Sequence, residues 1–134
     1  MATRLHPEAL RSDQCAELLA SGGLGRLAVS SGALPAIYSV FFSVLDDHIV
    51  VRLSPAWAVA KEADSAVVAF SVDKADQDAG GWTVMVQGVA EMVSDPLSVI
   101  RMRSLPLPSW SDNPDDDVFL SIAVTKLTGA RYTP

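Results

Sequence analysis

The chain has 134 residues, 49% of them apolar, and a net charge of −6, which fits one domain with a substantial core and excludes a disordered polymer. The acidic balance, with a sequence pI near 4.6, excludes a general nucleic-acid binder, which needs a basic face to neutralise phosphates. A single cysteine, Cys15, and two well-separated histidines, His6 and His48, exclude an intrachain disulfide and leave little material for a metal site or a histidine-activated nucleophile.

Taken in order, Ser12 is the expected N-cap of a helix through Asp13–Ala20, with Asp13 at the positive end and Gly22-Gly23 as the stop. Cys15, Leu18 and Leu19 share one face at i, i+3, i+4, so Cys15 is expected to be a packed core thiol. Gly25–Ser30 reads as a strand and Ser31-Gly32 as a turn. Gly22-Gly23-Leu24-Gly25 is no dinucleotide fingerprint, because it follows a helix and precedes a strand.

Pro35–Val44 and His48–Ser54 are two apolar, β-branched and aromatic runs around Asp46-Asp47, the pattern of a hairpin. Pro55 is then expected to open a short helix over Ala56–Ala63. A strand ending in Arg52-Leu53-Ser54 before a helix N-terminus is a candidate anion site, where N–H groups, a hydroxyl and a guanidinium would converge. The alternative is a core hairpin with one solvated arginine.

Ala66–Asp73 is nearly continuously apolar and is expected to be a central strand. Lys74–Gly81 reads as a surface loop. Trp82–Val93 is long for one strand, and Gly88 marks an expected bulge or bend. Ser94 or Asp95 should cap a helix with Pro96 in its first turn, ending near Arg103. Leu105–Trp110 breaks that helix. Asp112–Asp117 reads as a solvated acidic loop without the spacing or glycine of a calcium site. Val118–Val124 is the last strand, and a short Lys126–Tyr132 segment closes the chain. Roughly six strands and three helices in mixed order predict a mainly β fold, an antiparallel barrel with peripheral helices, as a single domain over 1–134. No apolar run is long enough to span a bilayer and Met1–Pro7 has no apolar signal core, so a cytoplasmic protein without membrane contact is expected.

Several pieces, in this order and spacing, carry a resemblance: Glu17–Ala20 with Gly25–Ala28, Pro35 and Ile37 with Val40, Ile49–Arg52, Val68–Phe70 with Asp73, Gly81–Glu91, Leu105–Trp110 and Leu127-Thr-Gly129. Together the chain resembles the pyridoxamine 5'-phosphate oxidase-like, FMN-binding split-barrel family, in its small actinobacterial-type branch. The resemblance implies a six-stranded antiparallel split barrel that forms a homodimer with cofactor sites at the interface. It further implies an FMN- or deazaflavin-dependent oxidoreductase acting on a small-molecule substrate, with no catalytic side chain and no metal ligand assigned. By the same resemblance Val40, Phe41 and Phe42 border the flavin ring, Arg52, Leu53 and Ser54 with Trp57, Ala58 and Lys61 stand at the phosphate, and Trp82 and Thr83 approach the cofactor from the partner.

This chain departs from the family pattern at that site. Leu53 replaces a threonine, Ala56-Trp57-Ala58 replaces Gly-Thr-Lys, and Gln87 stands where an arginine is frequent. Lys61 lies one helical turn beyond the expected lysine. Losing a lysine and a hydroxyl removes charge-assisted bonds of about 1.5–3 kcal/mol each, or about two to three orders of magnitude in affinity. The alternative expectation is therefore a non-enzymatic split-barrel dimer, without cofactor, that holds a more apolar ligand. Trp57 is expected either to line that pocket or to pack in the core.

Overall fold

The structure, a computed structural model, describes residues 2–134. The elements are β1 (His6–Ala9), α1 (Ser12–Leu19), β2 (Gly23–Ser31), β3 (Leu34–Leu45), β4 (His48–Leu53), α2 (Ala58–Ala63), β5 (Ala66–Asp76), β6 (Gly80–Met92), α3 (Pro96–Arg103), a 3₁₀ turn (Pro114–Asp116), β7 (Val118–Ala123) and β8 (Lys126–Thr133). Six strands close a ring in the order β6-β5-β2-β3-β4-β7, with β7 pairing back onto β6, and β8 and β1 extend from it. All pairings are antiparallel. This is the split barrel expected from the sequence.

The split lies on β6. One edge pairs with β5 from Gly80 to Ala90, while the other is shared between β8 (Gly81–Gln87) and β7 (Ala90–Met92). Gly88 stands at the changeover, where an added Cβ would lie 1.7 Å from the Ala123 carbonyl oxygen. The β5–β6 register runs without a slip from Ala66↔Ala90 to Asp76↔Gly80, while on the other edge it shifts by one residue where Gly88-Val89 face Ala123–Thr125. Gly88 is needed for close backbone approach there.

Two hairpins set the register of the ring. Gly32 and Ala33 (φ 54° and 67°) join β2 to β3, and Asp46 and Asp47 (φ 50° and 60°) join β3 to β4. Positive φ at both central residues is the type I′ geometry that matches strand twist. The first turn therefore falls one residue later than Ser31-Gly32. Alternation then sends Val40, Phe42, Ile49, Val51 and Leu53 into the barrel. Phe42 and Phe70 meet edge to face at 5.0 Å in its centre. Outside the ring, Val50 and Phe119 pack against Met102 of α3 and Leu107.

Helix α1 begins at Ser12, with Arg11 as N-cap, and the Gln14 side chain accepts the Arg11 N–H at 2.9 Å. Cys15 is fully buried, as its helical face predicts. Asp95 caps α3 by accepting the Ser98 N–H at 3.1 Å, with Pro96 in the first turn. The expected Lys74–Gly81 loop contracts, since β5 continues to Asp76 and β6 starts at Gly80. Asp76 Oδ1 takes the N–H groups of Asp78 and Ala79 and turns the chain locally. Strand β1 is not legible in the sequence: it contains Pro7, all four residues are exposed, and it is held by its ladder to β8.

Candidate functional site

Strand β4 ends at Leu53, and the Ser54 hydroxyl accepts the Ala56 N–H at 3.3 Å while its carbonyl accepts from Trp57 at 3.1 Å. This serine turn, rather than Pro55, precedes the helix, so α2 starts at Ala58 with Trp57 still extended. The turn leaves a cleft of about 480 Å³ between α2 and β3, lined by Tyr38, Ser39, Val40 and Ala56–Val59. The Tyr38 hydroxyl donates to Glu62 Oε2 at 3.3 Å. Burial, and then the Glu62 charge, push the Tyr38 pKa up, so the phenol remains a neutral donor.

Beside the cleft stand three half-open aromatic rings. Phe41 stacks on Trp110 with centroids 6.1 Å apart and planes at 24°, and Trp57 meets Trp110 at 5.0 Å and 57°. Each of the three is between 37% and 39% exposed, so part of every ring faces solvent. The Trp110 indole N–H donates to the Arg52 carbonyl at 2.8 Å. That bond holds the 104–117 segment against β4.

Arg52 itself faces away from the barrel interior and is buried under this segment. Its Nε donates to Asp117 Oδ2 at 2.8 Å, its Nη2 to the Pro114 carbonyl at 3.0 Å, and its guanidinium lies 5.3 Å from the Phe119 ring centre. Asp117 also accepts from the Trp110 N–H and from the hydroxyls of Ser109 and Ser111. Burial pushes its carboxyl up. The Ser111, Trp110, Ser109 and Arg52 donors outweigh that and hold it at about 2. Asp117 thus corrects the reading of Asp112–Asp117 as a wholly solvated loop: Asp112, Asp115 and Asp116 are exposed, but Asp117 is not.

The expected site residues divide accordingly. Val40, Trp57 and Ala58 line the cleft, Ser54 shapes its entrance, and Phe41 adjoins it. Phe42 and Leu53 point into the barrel and are 1% and 0% exposed, because strand alternation puts them opposite Phe41 and Arg52, and neither lines the cleft. Arg52 is committed to Asp117. Lys61 is exposed, one turn along α2 from Ala58. Trp82 and Thr83 sit across β2 and β5 from Ser39, so one chain does not bring them to the cleft. Sequence reasoning missed Tyr38 and Trp110 as site residues, although strand parity at Tyr38 and the aromatic at Trp110 were available signals. A second cleft of about 380 Å³, between α1 and the Asp46-Asp47 turn, contains none of the expected residues. Among the described residues no group of three His, Cys, Asp or Glu side chains could hold a metal ion, and no helix is long and apolar enough to cross a membrane.

The outer face of the sheet continues from the aromatic rings. In register, Phe41 lies beside Leu24, Ile37 beside Ala28, and Val67 beside Val89. Leu24, Ile37 and Val67 are 57%, 71% and 76% exposed. Ser39, Arg26, Ser71 and Met85 form a row across four strands, with Arg26 paired to Asp73. The cleft therefore opens at the rim of an exposed, largely apolar sheet face.

A six-stranded antiparallel ring closed by β7 on β6, with outlying β8 and β1, is a split barrel. The family model described as pyridoxamine 5'-phosphate oxidase matches residues 11–131, and the chain belongs to that family. It is 37% identical over 128 residues to an uncharacterized protein of Mycobacterium tuberculosis, Rv0080, covering 91% of this chain and 83% of that one. Among solved structures, the FAD binding protein from Mycobacterium smegmatis superposes with a TM-score of 0.80 at 25% identity, covering 94% of this chain and 98% of that one. A FAD-binding protein from Mesorhizobium loti superposes at 0.74 with 20% identity, covering 98% and 100%, and bears on the fold alone.

Proposed function

We propose that this chain is a flavin-binding oxidoreductase that works as a homodimer, with the cofactor ring in the cleft between β3 and α2. The observation that carries the reading is the cleft between Tyr38–Val40 and Ala56–Val59, bordered by Phe41, Trp57 and Trp110. The ring side of a flavin fits it: flat aromatic faces, a neutral hydroxyl at Tyr38 and backbone polar groups suit a planar heterocycle. The phosphate side does not fit, because Ala58 carries no charge and Arg52 is neutralised by Asp117. Hydride or electron transfer is what a bound flavin supplies, and the chain's own part is to bind and orient it.

FMN, FAD and a deazaflavin coenzyme are the candidate forms, and the FAD-binding relative supports the flavin class. The exposed face of β2, β3, β5 and β6 is the surface we assign to the dimer, with Trp82 and Thr83 serving the site across it. A cytoplasmic setting belongs to the same proposal, supported by the single, buried and unpaired Cys15. The test is a fluorescence titration of the purified protein with each cofactor form. Binding of any one at about micromolar concentration supports the reading. If none binds at about 100 µM, the reading fails, and a non-enzymatic barrel holding another apolar ligand takes its place.

A further inference from the structure

We infer that this cleft recognises the ring system of its ligand and gains almost nothing from a phosphate. The inference rests on the flavin reading and sharpens it. Arg52 is 7% exposed, and its charge is matched by a carboxylate at 2.8 Å that also accepts three further hydrogen bonds. A guanidinium in that position braces the protein: it fixes Pro114 and Asp117, and through them the segment that carries Trp110. Moving it to a phosphate would strip a buried carboxylate of its counter-charge, which is strongly unfavourable.

No other cation replaces it at the cleft. Position 58 is alanine, and the cleft lining contains no lysine or arginine. Glu62, bonded to Tyr38 at its edge, repels an anion, and the exposed Lys61 stands one turn along α2 from Ala58 and outside the lining. The Ser54 hydroxyl is turned to the Ala56 N–H as an acceptor and offers one neutral donor at most. Against this, Phe41, Trp57 and Trp110 present partly open aromatic surface, and stacking on such surfaces is worth about 1–3 kcal/mol by alanine substitution. Affinity should therefore follow the ring.

The experiment compares riboflavin, FMN and FAD binding to the full-length protein by fluorescence quenching at low and high salt. Riboflavin and FMN should agree within about three-fold, with little salt dependence in either. FMN binding about 30-fold or more tighter than riboflavin, and losing that advantage in salt, would overturn the inference while leaving the flavin reading intact. Failure of all three to bind would end both. Trp110→Ala, checked for an intact fold by circular dichroism, should weaken riboflavin and FMN alike by about ten-fold. A loss confined to FMN would overturn ring recognition. Ala58→Lys should favour FMN over riboflavin by about ten-fold, since it adds one charge-assisted donor. An equal effect on both ligands would overturn the assignment of the missing cation to position 58.

Discussion

Arg52 and Asp117, 65 residues apart in the chain, form a buried ion pair with Nε and Oδ2 at 2.8 Å. Together they tie β4 to the start of β7 and clamp the segment that places Trp110 beside Trp57 and Phe41. Arg52 donates through Nε and Nη2, both Asp117 oxygens accept, and no buried side-chain polar atom among the described residues lacks a partner. Such a pair is a constraint on geometry more than a source of stability, because removing two charges from water offsets most of their attraction.

Breaking it from one side should be costly. Asp117→Asn leaves the buried guanidinium without its counter-charge and should destabilise by about 3–5 kcal/mol in urea unfolding. Replacing both partners by apolar residues, Arg52→Met with Asp117→Leu, should cost much less than the sum of the single changes. Additive losses in that double-mutant cycle would show that the pair is not coupled as described.

Acid should loosen the same segment first. The folded carboxyl of Asp117 titrates at about 2, below its ordinary value of 3.8. A depressed folded pKa contributes stability that is complete above about pH 4 and is lost as pH falls toward 2. The shift corresponds to about 2 kcal/mol. Tryptophan fluorescence of a Trp82→Phe variant, which leaves the adjoining Trp57 and Trp110, should change between about pH 4 and 2 before far-ultraviolet circular dichroism reports loss of the sheet. Coincident changes at all pH values would refute a local role.

Gly88→Ala should be among the most damaging small substitutions in the barrel. The new methyl would lie 1.7 Å from the Ala123 carbonyl oxygen, so β6 and β7 could not keep their closing pairs. A loss of about 3 kcal/mol, or roughly 10 °C in Tm, is expected by thermal unfolding. A near-native Tm would mean that the ring closes with more slack than the register implies.

The assignment of the outer sheet face to a dimer is tested by Ile37→Glu. Ile37 is 71% exposed in the single chain, so the change should leave the fold itself nearly untouched, within about 0.5 kcal/mol. In the dimer it would bury an unpaired carboxylate. Sedimentation should then show monomers where the unaltered chain shows dimers, and flavin binding should weaken with it. An unaltered protein that already sediments as a monomer would sink the dimer proposal directly.

Much of this could be read without coordinates, and each reading had a local cause. Apolar runs of strand length bounded by turn residues located six ring strands, the Asp46-Asp47 turn set the β3–β4 hairpin, and Asp95-Pro96 set the start of α3. The helical face of Cys15 predicted its burial. The absence of a lysine at position 58 was equally plain, because a missing charge needs no fold to be noticed. These are short-range matters of turn chemistry, capping and period.

The fate of each chemical group was decided only by tertiary structure. Alternation says that Phe41 and Phe42 face opposite ways, but ring closure decides that Phe42 goes inward to Phe70 and Phe41 outward to Trp110. Nothing local to Arg52 announces Asp117, and nothing in an acidic run marks its last member as the buried one. Strand β1, with no apolar pattern of its own, exists only because β8 offers it a partner. Local sequence sets backbone preference within a few residues. The energies that turn an apparent phosphate ligand into a buried brace come from contacts that exist only once the barrel has closed.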